Sequence, residues 1–401
     1  MLVRCFGFWI ALAALGCGSA GGAGGGGAGG GAPADAFVRV DVAGYPAAEP
    51  KRAIVLSANA APDTAEVLDE HGAVVASLEP GADLGPWNDR YAHAFPVAFD
   101  SVTTPGTYRV RALGVTSPPF PIDAPAALYA PRLADAAFFY RVQRDGADVD
   151  SKALARAPSH LADASAFVYD RPAYSHDVLQ GDLVKLGGPV DVEGGYFDAG
   201  DYVKFVETTS YVEAVWLVAM RDHRARVEAA GIDVEAKRGI DWLRKMWDDD
   251  TQTLQYQVGI GDGNAHVAGD HDAWRLPEAD DALDVKPGDR RYYVKYRPVL
   301  RSGPPGAPVS PNLAGRLAAD FALSAQVYRA SNPSLADAYL VAGAHVFELA
   351  DTSGGPLLTT SPHDYYPETS WRDDLELGAA ELDLALVAAG GAPPSGVPHD
   401  A

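Results

Sequence analysis

Cysteine is nearly absent from this chain. Its 401 residues include only Cys5 and Cys17, both at the extreme N-terminus. Everything downstream is therefore without disulfides and without a cysteine-based metal site. Positive charge is also scarce: 32 Lys and Arg stand against 54 Asp and Glu, a formal net charge of -22. A surface this acidic argues against nucleic acid and anionic membranes as partners, and suits a soluble enzyme acting on neutral polymers. Membrane-length hydrophobic runs are missing too. The apolar stretch Phe6 to Leu15, preceded by Arg4, is too short to span a bilayer stably. What remains is ample for a core, since hydrophobic residues make up 47% of the chain. The length exceeds what one domain usually takes.

The N-terminus reads as a targeting segment. Ala14-Leu15-Gly16-Cys17 resembles a bacterial lipoprotein cleavage box, although Ala14 stands where a branched apolar residue is usual. The expectation is a signal peptide over 1–17, lipidation of Cys17, and export to the outer membrane or cell surface, with the membrane met only through that lipid. Residues 18–36 are almost pure Gly and Ala, so they cannot bury a core and are expected to form a tether.

Period-two alternation begins at Phe37. Val38, Val40 and Val42 fall on one side, Arg39 and Asp41 on the other; Tyr108, Val110 and Ala112 alternate with Arg109 and Arg111. Short apolar runs at Ala53–Leu56 and Val74–Leu78 lie between, punctuated by turn signals at Pro62-Asp63, His71-Gly72 and Pro105-Gly106. About seven short strands over 37–124 predict an all-β, immunoglobulin-like sandwich.

From residue 125 the period changes to that of helices. The pattern predicts a first helix around Leu133–Tyr140, then Thr208–Ala230, Val234–Asp248, Asn312–Ala330, Ser334–Ala350 and Arg372–Ala389. Long helices joined by loops, with almost no strand signal, predict an α/α toroid. Trp216, Trp242 and Trp247 are expected in its core.

One loop carries chemistry. Gly194-Gly195-Tyr196-Phe197-Asp198-Ala199-Gly200-Asp201-Tyr202-Val203-Lys204-Phe205 sets two carboxylates three residues apart in a Gly-rich turn, just before a helix and between aromatic rings. Paired acids with rings are what glycoside hydrolysis needs. An Asp-x-x-Asp pair at a helix start also serves as a cap or a calcium loop.

The whole string resembles the signature of glycoside hydrolase family 9, mainly endoglucanases that cleave β-1,4-glucans. Asp41-Val42-Ala43-Gly44-Tyr45-Pro46 resembles the opening of the immunoglobulin-like domain that precedes the catalytic domain in one branch of that family. Phe138-Phe139-Tyr140-Arg141, Gly239-Ile240-Asp241-Trp242 and His271-Asp272-Ala273-Trp274 extend the likeness from about Pro125 to the C-terminus. The resemblance implies an (α/α)6 barrel, here incomplete at its C-terminus, and hydrolysis of β-1,4-glucosidic bonds in cellulose or related β-glucans with inversion. By that resemblance Asp201 is the base that takes a proton from water, and Asp198 holds the water and the base. Tyr196 and Tyr202 shape the pocket; His271, Trp274 and Tyr365 contact glucosyl units, Trp274 by stacking. Glu368 stands where the family often has a stacking Trp.

The family's general acid is a Glu late in the barrel, in an Asn-Glu context. No Asn-Glu pair occurs here, and Glu368, Glu376 and Glu381 lie too early, so impaired hydrolysis is expected. A structural calcium is implied at Thr369 and Ser370, through backbone carbonyls, and at Asp373 and Asp374, with a further carboxylate downstream. The same acids also suit a helix N-terminus. No zinc is expected: Asp145 and Ser175 occupy the likely positions of the cysteines that hold it in some members, although His176 remains. The expected partner is a β-glucan polysaccharide or oligosaccharide, met by a monomer. Two alternatives stay open: a non-catalytic glycan-binding surface lipoprotein, and an exo-acting β-glucosidase of the same family.

Overall fold

The computed structural model describes residues 35–59 and 61–391. Cys17, the signal segment and most of the Gly/Ala stretch lie outside the described residues. Among the described residues, no helix is long and apolar enough to cross a membrane. The chain divides into two compact units at Ile122/Asp123.

The first unit is a β-sandwich. Strands β1 (Ala36–Arg39), β3 (Arg52–Ser57) and β6 (His93–Ala98) form one antiparallel sheet. The other contains β2 (Tyr45–Pro46), β9 (Phe120–Asp123), β7 (Gly106–Ala112), β4 (Ala65–Leu68) and β5 (Val74–Leu78) in that order, with β8 (Val115–Thr116) beside β7. The alternation of β7 is kept: Tyr108, Val110 and Ala112 are buried and the arginines between them face outward. They join Val38, Val55, Val67, Phe95, Val97 and Phe120 in a single core. Val42 departs from the expected pattern and is exposed, because β1 ends at Arg39. The apolar run Val74–Leu78 forms an edge strand paired only with β4, so Val74 and Val75 are also exposed.

The second unit is built on helices: α1 (Pro125–Gln143), α2 (Val206–Ala230), α3 (Ile232–Met246), two single-turn helices α4 (Glu278–Asp281) and α5 (Tyr292–Lys295), then α6 (Pro311–Tyr328), α7 (Pro333–Glu348) and α8 (Arg372–Ala388). Each long segment predicted from periodicity is a helix. The most buried is α6, whose Ala- and Leu-rich surface packs against α2, α7 and α8. Small residues set its distance from α8. A Cβ on Gly315 would lie 2.4 Å from the Asp374 carbonyl carbon, so the two backbones nearly touch there. Trp216, Trp242 and Trp247 are buried as expected.

The strands of this unit are a finding that periodicity does not anticipate. Strands β10 (Ala166–Tyr169), β13 (Lys185–Val190), β14 (Lys204–Phe205), β15 (Trp247–Asp248), β16 (Thr253–Val258) and β17 (Val299–Arg301) join in one mixed sheet, and β11 (Ala173–Ser175) pairs with β12 (Val178–Gln180) as a hairpin. All six residues of β16 are buried, so no alternation marks it. Its Gln257 is satisfied internally: the side chain donates to the Gly259 and Ser361 carbonyls and accepts from the Ser361 amide. Strand β14 leads directly into α2 and pairs with β16, which anchors the downstream end of the acidic loop.

Candidate active site

The loop before β14 is held from behind. Gly195 has φ +74°, and a Cβ there would lie 2.7 Å from the Trp242 ring, so only glycine fits. The Asp198 amide donates to the Val203 carbonyl at 3.0 Å and closes the bend. Lys204 Nζ, fully buried, donates to the Val192 and Gly194 carbonyls at 3.0 and 2.8 Å. It also pairs with Asp145 at 3.0 Å and Asp163 at 2.9 Å. Arg297 bridges the same two carboxylates and donates to the Tyr202 carbonyl. Burial alone raises both acids, but Arg297 and Lys204 outweigh it and hold Asp145 and Asp163 below the usual carboxylate range.

A second arm reaches the loop from the His271 side. His160 lies between Asp145 and Asp280, with Nδ1 and Nε2 at 2.9 and 3.0 Å from their oxygens. Burial and Arg297 oppose its charge, yet the two carboxylates prevail and raise its pKa. Arg275 links Asp280 to Asp270, and the second oxygen of Asp270 accepts from the Tyr202 amide at 2.7 Å. Asp270 immediately precedes His271, so one chain of ion pairs sets the Asp201 and His271 segments against each other.

The two loop carboxylates are not equivalent. Both oxygens of Asp198 are occupied, one by the Thr208 hydroxyl at 2.7 Å and the other by the Tyr366 hydroxyl. Burial raises its pKa, with the charge of Asp201 a smaller contribution in the same direction. Asp201 is partly open to solvent. One oxygen lies 2.7 Å from His271 Nε2; the other has only a long 3.4 Å contact with the Ala199 amide. Asp201 thus retains an oxygen able to accept a proton.

The far nitrogen of His271 faces Asp262 at 3.3 Å, and the Tyr365 hydroxyl donates to that same Asp262 oxygen. The Asp201 hydrogen bond raises the His271 pKa to about 9, against burial. At neutral pH the ring is an imidazolium between two carboxylates. Its stabilising contribution is complete below about 6.5 and is lost as pH rises through about 9. An NMR titration of the ring nitrogens should give a midpoint near 9, falling toward 6.5 in Asp201→Asn. A midpoint unmoved by that substitution would mean that Asp201 does not set the proton affinity.

The other expected contacts divide. Trp274, three residues after His271, is fully exposed, and Tyr365 stands with its ring centroid 5.3 Å from that of His271. Tyr202 is committed elsewhere: its ring packs on Phe197, His160 and Arg275, and its hydroxyl donates to the Arg275 carbonyl. Tyr196 does not shape the pocket. It is a core residue whose hydroxyl donates to Glu235. Sequence reasoning missed Asp262, Thr208 and Tyr366, although the Gly-rich turn around Asp262 and the Tyr365-Tyr366 pair were visible signals. Asp201, Tyr365 and Tyr366 are half-buried and His271 is exposed, so the site is open to solvent. Cavities of about 670 and 650 Å³ lie elsewhere, along α2 and α3 and beside Trp247.

Comparison with known proteins decides the family. The profile described as glycosyl hydrolase family 9 matches residues 129–390, more than half of the chain. The chain belongs to glycosyl hydrolase family 9. The profile of a cellulase N-terminal ig-like domain matches residues 34–117. Among curated relatives, endoglucanase 2 of Oryza sativa subsp. japonica is 29% identical over 262 residues, covering 63% of this chain and 34% of its own length. Endoglucanase 16 of the same species is 31% identical over 194 residues, 48% of this chain and 32% of its own. The chain therefore spans about a third of the length of these relatives. A crystal structure of a metagenome-derived glycoside hydrolase family 9 endoglucanase superposes with a TM-score of 0.60 at 23% identity, covering 89% of this chain and 65% of that one. This likeness establishes the fold.

The metals that family 9 implies meet poor donor sets here. Asp374 accepts from Arg316 Nε at 2.7 Å, while Asp373, Thr369 and Ser370 are exposed, with only a 3.4 Å contact from the Ser370 hydroxyl to Asp373. No group of three or more His, Cys, Asp or Glu among the described residues is arranged to hold a metal. Calcium, which takes six to eight oxygens, does not fit this set. Zinc does not fit either: Asp145 is consumed by its ion pairs, and Ser175 and His176 sit on the exposed end of the β11–β12 hairpin.

Proposed function

We propose that this protein hydrolyses β-1,4-glucosidic bonds of cellulose or related β-glucans, with inversion at the anomeric carbon. The observation that carries the reading is the asymmetry of the two aspartates. Asp198 has both oxygens taken by hydroxyl donors, whereas Asp201 is partly open to solvent with one oxygen available. In an inverting reaction a water lies between the sugar and the base. Asp201 accepts its proton as oxygen attacks the anomeric carbon and the bond to the leaving oxygen breaks. His271 orients Asp201 through the imidazolium contact. Asp198, Thr208 and Tyr366 keep the loop in register. Trp274 offers an apolar face for a glucosyl ring. The endoglucanase relatives in family 9 support the substrate class. The leader residues support export and lipid attachment at Cys17.

Protonation of the leaving oxygen is the step for which no residue is assigned. That separates base from acid in an experiment. A dinitrophenyl β-cellobioside carries a leaving group that departs without a proton. Its turnover is expected to exceed that of soluble β-glucan by about 10²–10⁴-fold, the usual contribution of general acid help. Binding of the cellobioside with no release of dinitrophenolate would instead favour a glycan-binding protein.

A further inference from the structure

Arg316, on α6, lies where carboxylates from three other segments converge. Its Nη1 donates to Glu207 Oε1 at 2.6 Å and to the Glu207 carbonyl at 3.2 Å. Its Nε donates to Asp374 Oδ1 at 2.7 Å, and its Nη2 to Glu368 Oε1. Asn312, one turn earlier, donates to the other Glu368 oxygen at 2.8 Å. The four charged side chains are largely withdrawn from water, Glu207 and Asp374 almost completely. One guanidinium thus faces three acids, and Glu207 Oε2 and Asp374 Oδ2 remain buried without a partner. Three acids gathered out of water are stabilised by a cation or by protonation, and the cation present is part of the chain.

The joint also touches the site. Glu207 precedes Thr208, whose hydroxyl donates to one oxygen of Asp198. Glu368 lies two residues after Tyr366, whose hydroxyl donates to the other oxygen. Two of the three acids on Arg316 therefore sit beside the two donors that fix Asp198. We propose that Arg316 is the resident cation of this joint, standing in for the calcium that family 9 implies at Asp373 and Asp374. A planar guanidinium suits the task, since it addresses three carboxylates along separate N–H directions.

The test is thermal unfolding of the full chain, with calcium binding followed by titration calorimetry. None of these readouts requires turnover, so the proposal is decided separately from glucan hydrolysis. The wild-type midpoint is expected to agree within about 1 °C between millimolar calcium and EGTA, because no site on the folded state is filled. Arg316→Met, which strands three acids, should lower the midpoint by roughly 10 °C in EGTA. Millimolar calcium should recover about half of that loss by occupying the vacated position. Arg316→Lys keeps one charge and should fall between the two, without a calcium response. A merely structural arginine would show no metal rescue. Two results overturn the proposal: a wild-type midpoint that calcium raises by several degrees and that Asp374→Asn makes insensitive, or an Arg316→Met midpoint that calcium does not move. The wild-type comparison decides the question even if Arg316→Met does not fold.

Discussion

Asp201→Ala is expected to lower turnover of dinitrophenyl β-cellobioside by about 10²–10⁴-fold with KM little changed, because the base acts on water and contributes in the transition state rather than to binding. The activated substrate matters here: it removes leaving-group protonation from the comparison, so the loss reports on the base alone. Azide gives the experiment a second arm. It is a nucleophile that needs no deprotonation, and removal of the Asp201 carboxylate leaves space on the attacking side. Azide should restore turnover to Asp201→Ala and yield the α-configured cellobiosyl azide, the stereochemistry of a single inversion. A variant that turns over as wild type removes Asp201 from the role. A β-configured product would point to a covalent intermediate and to a different mechanism.

The ingredients of that experiment were legible in the sequence to different depths. The string Gly194 to Phe205 exposed Asp198 and Asp201 because the chemistry and the turn sit in consecutive residues. The long helices were legible because each buries one face and repeats it every three to four residues. Strand β16 was not, since burial on both sides erases alternation and its two glutamines read as polar loop. What divides the roles of the two aspartates was also hidden. Tyr366 reaches Asp198 from 168 positions away, and His271 reaches Asp201 from 70. The ion pairs beneath them span similar gaps: Arg297 to Asp145 is 152 residues and Arg316 to Glu207 is 109. A charged residue that pairs across such a distance looks, in one dimension, like any solvated surface charge. Asp145 is the sharpest example. Sequence reading weighed it as a lost metal ligand, and the fold makes it the meeting point of two cations and a histidine.

That meeting point predicts a large stability effect. Arg297→Met should lower the unfolding midpoint by roughly 10 °C, from a loss of about 3–5 kcal/mol for breaking a buried pair at 2–4 °C per kcal/mol. Asp145, Asp163, Lys204 and Arg297 are each at most 4% exposed, so water cannot replace the lost guanidinium. Only Lys204, and His160 at Asp145, would then face the two carboxylates, and the Tyr202 carbonyl would lose its donor. Asp163→Asn in the Arg297→Met background should recover part of the midpoint, because the cost lies in the unbalanced charge rather than in the missing contact. The same logic links stability to the loop. With the Tyr202 carbonyl released, the Asp198 and Tyr202 amides, which donate to Val203 and Asp270, should exchange hydrogen faster than the amides inside α6. If Arg297→Met unfolds within about 2 °C of wild type, or if the loop amides keep their protection, the buried charges are not what holds Asp201 in place.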